Sequence, residues 1–335
     1  MTILITGGTG YIGSHVAISL IDAGYSVVLF DNLSNSDIST IDRLEKITHQ
    51  KITFIEGDVR DTELISSILF ENKIKVVMHF AGHKAVGESE KNPIKYYDNN
   101  VAGSISLLKA MHKNQVKKII FSSSATVYGF PQYLPYDESH PTSPFNTYGR
   151  NKLFIEEILR DLASSDSEWI IAILRYFNPV GAHDSGLIGE MPRGTPNNLM
   201  PFLTQVASGR LKSLNVFGND YDTQDGTGGR DYIHVVDLAE GHLAALKFIN
   251  DNDKAGQYTI NLGTGKSTTV LELIHAFENV NNIKIPINFV ERRLGDLPNY
   301  YASADYAFKI LNWKANRTIE QMCESSWRWE KSRGI

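Results

Sequence analysis

The chain has 335 residues, of which 42% are hydrophobic and 21% are charged, and its formal net charge is −5. This composition excludes an intrinsically disordered or collagen-like chain, and the slightly acidic balance argues against nucleic acid or an anionic membrane as the main partner. The single cysteine, Cys323, cannot form an internal disulfide, and no apolar stretch approaches the roughly 20 residues that span a bilayer. Because the N-terminus also lacks a signal-peptide pattern, we expect a cytoplasmic globular protein.

The first half of the sequence alternates short apolar runs with segments of helical periodicity. The predicted strands are residues 2–6, 27–30, 52–55, 76–80, 119–121 and 169–174. Apolar residues such as Ile12, Val16 and Leu20 recur at helical spacing between them. Continuous apolar strands separated by helices predict a parallel sheet covered on both faces, which is the doubly wound, Rossmann-type α/β fold.

After about residue 174 this pattern changes. Residues 178–232 are rich in Pro, Gly, Asn and Asp, and we interpret them as a loop-rich insertion that shapes a ligand cleft rather than a new core. Further elements are predicted as helices at 236–249, 268–279 and 318–331 and a strand near 285–290. We therefore expect a larger first domain over 1–177 and a smaller α/β domain over 178–335, with some strands and helices returning to the first.

The turn after the first predicted strand carries a glycine triplet. Gly7, Gly10 and Gly13 permit a tight turn, a close approach to a pyrophosphate and close helix–strand packing. The anion would rest on the N-terminus of the first helix. A glycine triplet alone also fits a simple βα turn, but Asp31 follows the second predicted strand at the distance expected of a ribose-binding acid. A carboxylate there repels a 2′-phosphate, so the sequence favours NAD over NADP.

Two further groups follow predicted strands at the edge of the sheet where ligands bind. Asp58 and Val59 follow the third strand, and Phe80, Ala81 and Gly82 follow the fourth. Open α/β sheets bind their ligands at these carboxyl ends. We assign the first pair to the adenine end of the cofactor and the second group to its central part.

Candidate catalytic groups lie at the start of the next predicted helix. Tyr148 and Lys152 are four residues apart, which places both on one helix face. A tyrosine with a pKa near 10 is a poor base, but a neighbouring ammonium and a positive nicotinamide ring both lower that pKa. Tyr148 would then take a proton from a sugar hydroxyl while hydride leaves for NAD. A lone Tyr–Lys pair is usually a surface feature, so the weight comes from the serines at 122–124, which end the preceding strand.

These motifs together resemble the extended short-chain dehydrogenase/reductase superfamily, and longer stretches resemble its UDP-glucose 4-epimerase family more closely. The stretches are TGGTGYIGSH (6–15), HFAGHKAVGES (79–89), YYDNNV (96–101), FSSSATVYG (121–129), LRYFNPVGAH (174–183), PNNLMP (196–201), FGNDY (217–221), DGTGGRDYIHV (225–235) and RRLGDLP (292–298). They extend to about residue 300, and their combination is highly specific. The segment 130–147 matches no pattern and is given no role.

The resemblance implies an isomerase that interconverts UDP-galactose and UDP-glucose. NAD would oxidise carbon 4, the 4-keto sugar would turn, and the same hydride would return to its other face. Tyr148 would be the base and acid, Lys152 would bind the nicotinamide ribose and tune the tyrosine, and Ser124 would relay the proton. NAD, regenerated in each cycle, would stay tightly bound. No metal is implied.

The resemblance also implies two sets of binding residues. Cofactor contacts are implied for Gly7, Gly10, Tyr11, Ile12, Gly13, Asp31, Asn32, Asn35, Ser36, Asp58, Val59, Phe80, Ala81, Gly82, Lys84, Asn99, Tyr148, Lys152 and Phe177. UDP-sugar contacts are implied for Ser124, Tyr148, Asn178, Asn198, Leu199, Phe217, Arg230, Arg293, Asp296 and Tyr300. Two guanidiniums suit a diphosphate, although either arginine alone would fit a surface ion pair, and either asparagine alone a loop cap.

Three other functions compete with this interpretation. A nucleotide-sugar 4,6-dehydratase carries an Asp-Glu pair where this chain has Ala125 and Thr126, neither of which eliminates water. A nucleotide-sugar reductase that exchanges NAD(P)H in each turnover is discriminated less well, because affinity for NAD is not written in the motif. A non-catalytic dinucleotide-binding regulator would be expected to lack the Tyr, Lys and Ser set, which is present.

Two finer expectations also depend on the resemblance. In related epimerases a bulky residue at the position of Tyr300 narrows the sugar pocket, so we expect UDP-N-acetylhexosamines to be poor substrates. Relatives pair through two helices, which would be the segments near 93–113 and 147–163, and we expect a homodimer. Ile105, Leu108 and Met111 are apolar candidates on the first segment, although such faces usually pack against their own core.

Overall fold

The computed structural model describes residues 1–192, 196, 198–251, 255–293 and 295–334. The strands in these ranges are β1 (Thr2–Thr6), β2 (Ser26–Asp31), β3 (Thr53–Glu56), β4 (Ile74–His79), β5 (Lys118–Ser124), β6 (Ile170–Tyr176), β7 (Asn178–Val180), β8 (Leu214–Phe217), β9 (Gly229–Arg230), β10 (Tyr232–His234), β11 (Gly256–Leu262), β12 (Thr268–Thr269) and β13 (Ile287–Val290).

The helices surround these strands. The α-helices are α1 (Tyr11–Asp22), α2 (Ser39–Thr48), α3 (Thr62–Glu71), α4 (Val86–Lys91), α5 (Pro93–Tyr96), α6 (Gly103–Lys113), α7 (Thr147–Ser165), α8 (Leu199–Ala207), α9 (Val235–Asp251), α10 (Val270–Asn281), α11 (Asp305–Leu311) and α12 (Ile319–Ser332). A π-helix (Tyr97–Ala102) joins α5 to α6, and a 3-10 turn (Ala125–Val127) follows β5. No helix in the described ranges has the length and apolar character that crossing a membrane requires.

Seven parallel strands form the central sheet in the order β3-β2-β1-β4-β5-β6-β11. The strand order reverses at β1, whose last residue, Thr6, pairs with Phe30 on one side and His79 on the other. A crevice at the carboxyl ends of the strands therefore opens beside the turn that follows β1. The predicted doubly wound fold is confirmed.

Each face of the sheet is covered by its own apolar core, which explains the continuous apolar strands. Ile3 and Ile5 belong to the core beneath α1 and α9, whereas Leu4 belongs to the core beneath α3 and α6. Successive side chains of a strand point to opposite faces, so a sheet buried on both sides requires apolar residues throughout.

The prediction that residues 178–232 shape a ligand cleft agrees with the structure, but the prediction that they form no new core was wrong. This stretch contains α8 and β8, and its Met200, Leu203 and Val216 pack in a third core with Phe277 and Met322. The apolar residues that complete the core lie far away in the sequence, and α8 has only nine residues. Local periodicity therefore gave too weak a signal, although Pro201 in the first turn is compatible with a helix.

The later elements were predicted incompletely. The predicted helices correspond to α9, α10 and α12, and the predicted strand corresponds to β13, but the short helix α11 and the strand β11 were missed. Strand β11 returns to the central sheet and pairs with β6 from Gly256↔Ile170 to Leu262↔Tyr176. Its sequence, GQYTINL, mixes polar and apolar residues, and its first four residues are only partly buried, as expected of an edge strand.

Candidate active site

A cavity of about 1480 Å³ lies at the carboxyl ends of the sheet strands and extends to the third core. Small-molecule pockets are commonly about 300–1,000 Å³, so this cavity has room for two ligands. Every site residue predicted from the sequence except Asp58 lines it. Asn197 and Leu294, which belong to the PNNLMP and RRLGDLP stretches, lie outside the described residues.

The glycine turn forms one end of the cavity. Gly7 has a φ of +69°, and a Cβ atom there would lie 2.7 Å from the amide nitrogen of Ala81. A Cβ atom on Gly13 would lie 2.3 Å from the carbonyl oxygen of Gly7. In the described part of the chain, no side chain caps the start of α1 at Gly10, so its first N–H groups are available to an anion. The turn therefore fits the pyrophosphate of a dinucleotide.

The predicted ribose-binding acid braces the loop after β2. The Asp31 carboxylate accepts hydrogen bonds from the amide of Leu33 (2.9 Å), the hydroxyl of Ser36 (2.9 Å) and the amide of Thr9 (3.2 Å). The Thr9 hydroxyl in turn donates to Ser36 (2.8 Å). These contacts hold the predicted Asp31 and Ser36 against the glycine turn.

The carboxylate of Asp58 is held by two neighbouring side chains. Its carboxylate accepts hydrogen bonds from Asn32 (3.2 Å) and from the guanidinium of Arg60 (2.8 Å). The Arg60 guanidinium holds the pKa of Asp58 well below its usual range. Val59 and Arg60 line the cavity, so the structure adds Arg60 to this end of the site, and contact of Asp58 with the cofactor stays a prediction.

The loop after β4 is held by an asparagine that the sequence analysis did not single out. The side chain of Asn100 accepts from the amide of His83 (2.8 Å) and donates to its carbonyl oxygen (3.0 Å). The predicted Asn99 donates to the same side chain (2.9 Å). Both asparagines belong to the π-helix, a form often found at functional sites. The Asn-Asn pair in YYDNNV was the available signal.

Glu190 connects the cofactor side of the cavity with the substrate side and was also missed. Its carboxylate accepts hydrogen bonds from Lys84 (2.7 Å) and from Asn198 (2.8 Å). The first was predicted to contact the cofactor and the second the substrate. The indole of Trp329, on α12, donates to the backbone oxygen of Glu190 (3.1 Å). A glutamate in a loop has no local pattern that marks it as such a link.

Helix α7 presents the predicted catalytic pair. The side chain of Asn146 caps the helix by accepting from the amide of Gly149 (2.7 Å), which places Tyr148 in the first turn. The ammonium of Lys152 donates to the carbonyl oxygen of Ser122 (2.6 Å) and lies 5.9 Å from the centroid of the Tyr148 ring. Of the three serines, Ser124 is the one whose side chain acts on the Tyr148 hydroxyl, where it opposes the effect of burial on the pKa of the phenol.

Burial dominates the ionisation of this pair. It raises the pKa of Tyr148 to about 12, although the interaction with Ser124 opposes this. It also lowers the pKa of Lys152 to about 8, against the effect of the Glu156 carboxylate. Burial therefore outweighs the neighbouring groups in setting the Tyr148 pKa, and a further positive charge beside the phenol is needed to offset it.

The two predicted arginines converge on one carboxylate at the other end of the cavity. Asp296 accepts from Arg230 (3.2 Å) and from Arg293 (3.0 Å). Arg293 also lies 4.6 Å from the centroid of the Phe217 ring. The Arg293 side chain is 56% exposed and that of Arg230 is 19% exposed, so both cations remain accessible to an anionic ligand.

Aromatic side chains form the wall near the catalytic pair. The ring of Tyr300 lies 5.5 Å from that of Phe177 and 4.9 Å from that of Tyr136. The Tyr300 hydroxyl is buried without a hydrogen-bond partner in the described residues, and burial raises its pKa. Tyr136 belongs to the segment 130–147, so that segment supports the wall. Two further predicted substrate residues also line the cavity: Asn178 is the first residue of β7, and Leu199 is the first residue of α8.

The described residues contain no group of three or more His, Cys, Asp or Glu side chains placed to hold a metal ion.

A family model described as GDP-mannose 4,6 dehydratase matches residues 4–326. The UDP-glucose 4-epimerase of Bacillus subtilis is 53% identical over 332 residues, which cover 99% of this chain and 97% of that relative. The relative of the same name from Dictyostelium discoideum is 52% identical over 328 residues, which cover 98% of this chain and 95% of that relative.

Solved structures agree with these relatives. The UDP-glucose 4-epimerase from Bifidobacterium longum, in complex with NAD+ and UDP, has a TM-score of 0.95 and 51% identity, covering 99% of this chain and 98% of that one. The enzyme from Stenotrophomonas maltophila, with bound NAD and formylated UDP-arabinopyranose, has a TM-score of 0.97 and 47% identity, with the same coverage. This chain therefore belongs to the UDP-glucose 4-epimerase family.

Proposed function

We propose that Tyr148, Lys152 and Ser124 carry the chemistry of this chain, which interconverts UDP-galactose and UDP-glucose with NAD as its cofactor. The observation that carries this proposal is their position in a single cavity, between the glycine turn at one end and Arg230 and Arg293 at the other. One ligand can thus reach the catalytic pair from each side.

The chain's own groups fit NAD along one side of the cavity. The glycine turn and the start of α1 would hold the pyrophosphate, Asp31 would bind a ribose, and Lys84 and Asn99 would contact the central part. NAD supplies hydride transfer to and from carbon 4, and its positive nicotinamide ring favours ionisation of the neighbouring phenol. Because the cofactor is regenerated within each cycle, we propose that it stays bound between turnovers.

Tyr148 moves the proton. As phenolate it removes the proton of the hydroxyl at carbon 4 of the sugar, and as phenol it returns that proton when the hydroxyl forms again. The Lys152 ammonium stabilises the phenolate electrostatically, and Ser124 holds the same oxygen by a hydrogen bond. No net proton or hydride is consumed, as an isomerisation requires.

The opposite end of the cavity holds the nucleotide. Arg230 and Arg293 are permanently charged, and both are close enough to share Asp296, so they suit a diphosphate. Phe217 is 37% exposed at this end and offers a ring for stacking. Firm binding there retains the sugar while its oxidised ring turns in the remaining space.

The competing functions fit less well. The family model carries the name of a dehydratase, but Thr126 uses its hydroxyl to donate to Ser124 (2.9 Å), and its neighbour Ala125 has no acidic group. The described residues therefore supply no extra acid–base pair at the position where dehydratases carry one. A reductase would differ by exchanging its cofactor, and a silent regulator would not need the intact catalytic set.

Assembly, location and domain division are further parts of the proposal. Ile94 on α5 is 77% exposed and Phe154 on α7 is 47% exposed, whereas Leu108 and Met111 are buried in their own core. We propose a homodimer through the exposed pair, and Phe154→Arg should produce monomers in light scattering. A dimeric variant would contradict this interface.

Location and domain division are also proposed. The buried thiol of Cys323 suits the cytoplasm. Residues 1–177 would form the NAD domain, and residues 178–335 would form the UDP-sugar domain.

Proton NMR of the purified chain with UDP-galactose and no added cofactor tests the function. We expect UDP-glucose to appear until equilibrium is reached. Turnover only after NAD is added would retain the reaction and overturn the tight binding. No turnover with NAD present would overturn the proposed reaction.

A further inference from the structure

Helix α7 carries a third buried polar side chain in line with the catalytic pair. Tyr148, Lys152 and Glu156 are spaced by four residues, so they lie one above the other on the same helix face. The proposed reaction uses the first two and leaves Glu156 without a role. Its side chain is 0% exposed, and a carboxylate in such a position is costly unless its charge is compensated.

Glu156 is fixed by donors from three elements. The hydroxyl of Ser123, on β5, donates to one carboxylate oxygen (2.5 Å). The guanidinium of Arg175, on β6, donates to both oxygens (3.0 and 2.6 Å), and Arg160, on α7 itself, donates to the second (3.1 Å). A buried, bidentate ion pair of this kind fastens α7 to the end of the sheet.

The three serines at the end of β5 match the three polar residues of α7. The carbonyl oxygen of Ser122 accepts from Lys152, the hydroxyl of Ser123 donates to Glu156, and Ser124 interacts with Tyr148. Because these serines are consecutive, the contact between Ser123 and Glu156 also holds Ser122 near Lys152 and Ser124 near Tyr148. A shift of α7 along β5 would break all three contacts together.

We propose that Glu156 is a positioning residue for this reaction: its buried carboxylate, held by Ser123 and Arg175, aligns α7 with β5 and helps to keep the Lys152 ammonium charged beside Tyr148. This inference rests on the proposed function and deepens it. Glu156 itself lies outside the cavity lining, so it acts through Lys152 and not on the substrate.

The charged groups around Lys152 determine the direction in which its pKa should change when Glu156 is replaced. On α7 it faces Tyr148 and Glu156, on β4 it faces His79, whose pKa burial lowers to about 3, and on β6 lie Tyr176 and Arg175. Of these, Glu156 supplies the negative charge that raises the Lys152 pKa against burial. Removing that charge also leaves Arg175 as an unpaired cation nearby, which acts in the same direction.

The test compares the pH dependence of kcat/KM for UDP-galactose in the holoenzyme and in Glu156→Gln. Removing the carboxylate should lower the Lys152 pKa, so the alkaline limb should move to lower pH by about one unit. We expect kcat to fall while KM and the content of bound NAD stay near native values, because Glu156 touches neither ligand. The matched control is Glu157→Gln, since Glu157 is the exposed neighbour, pairs with Arg160 and should leave the profile unchanged.

Glu156→Asp keeps the test decisive if the glutamine variant does not fold. This variant keeps the negative charge but moves it away from Lys152 by the length of one methylene. The alkaline limb should therefore move by less than half of the shift expected for Glu156→Gln, and kcat should still be reduced. A native alkaline limb in a folded Glu156 variant, whatever its thermal stability or kcat, would overturn the inference and leave Glu156 a structural residue. Absence of turnover in the native holoenzyme would instead overturn the proposed function.

Discussion

The regions before and after residue 178 reach the same cavity in different ways. In the first, polar groups follow consecutive strands of one seven-stranded sheet, so their positions depend on a single regular edge. In the second, three two-stranded sheets, β7–β10, β9–β12 and β8–β13, bring together segments that are far apart in the chain. Under the proposed assignment of residues, regular order positions the cofactor and the proton-transfer groups, whereas long-range pairing builds the substrate end.

This difference predicts that the two regions fail in different ways when they are mutated. Arg230 and Asp296, which are 66 positions apart, form the substrate end, and Lys84 and Glu190, which are 106 apart, join the two ends. Changes in the first region should affect turnover or NAD content, and changes in the second should affect KM or sugar choice. Four substitutions test this separation.

The largest effect is expected for Tyr148→Phe, which removes the proton-transfer group and leaves the ring in place. General acid–base catalysis contributes about 10²- to 10⁴-fold, so kcat should fall within that range while bound NAD stays at the native level. Turnover and NAD stoichiometry should be measured together. Tyr133→Phe, at an exposed tyrosine that donates to Asp137, is the control. Loss of NAD would show that Tyr148 mainly supports the structure.

Gly13→Ala tests the glycine turn. Its Cβ atom would lie 2.3 Å from the carbonyl oxygen of Gly7, so the turn must open and the purified protein should contain little NAD. Gly10→Ala is the graded comparison, because its Cβ would meet the same oxygen at 3.2 Å. The ratio of absorbance from NAD to that from protein gives the content. Full retention of NAD in the Gly13 variant would contradict the predicted close packing at this turn.

Arg293→Met tests the substrate end. Losing a hydrogen bond to a charged group costs about 1.5–3 kcal/mol, which corresponds to a rise in KM of roughly 10- to 100-fold, with kcat little changed. The neighbouring Arg292→Met is a matched control, since Arg292 pairs with Asp220 (2.7 Å) and does not line the cavity. Steady-state kinetics with UDP-galactose distinguish the two. A fall in kcat alone would remove Arg293 from nucleotide binding.

The smallest effect is expected for Tyr300→Ser, which opens the aromatic wall against Phe177 and Tyr136. Activity on UDP-N-acetylglucosamine should appear, while that on UDP-galactose should change by less than about tenfold. Tyr301→Ser is the control, because Tyr301 does not line the cavity. Coupled assays with both substrates measure the ratio. No gain of N-acetyl activity would contradict the idea that Tyr300 restricts sugar size.

The predictability of the site follows the same division. Short, fixed spacings separate the three glycines at 7, 10 and 13, and likewise Tyr148 and Lys152. The local path of the chain therefore brings the members of each group together. Asp58 was assigned to the adenine end of the cofactor because it follows a strand, and that assignment stays a prediction; only the structure shows that Arg60, two residues later, holds its carboxylate. Glu190 and Asn100 have no such spacing, and their roles come from contacts with residues far away in the sequence.

By itself, the sequence determined the parallel sheet and the dinucleotide turn and offered the candidate catalytic groups, because periodicity and short spacings act within a few residues. Only the tertiary structure decided that residues 178–232 contribute to a core, that Asp296 joins two arginines, and that Glu156 lies against Ser123, 33 positions earlier. Such contacts depend on the path of the whole chain, and no local pattern of residue types records that path.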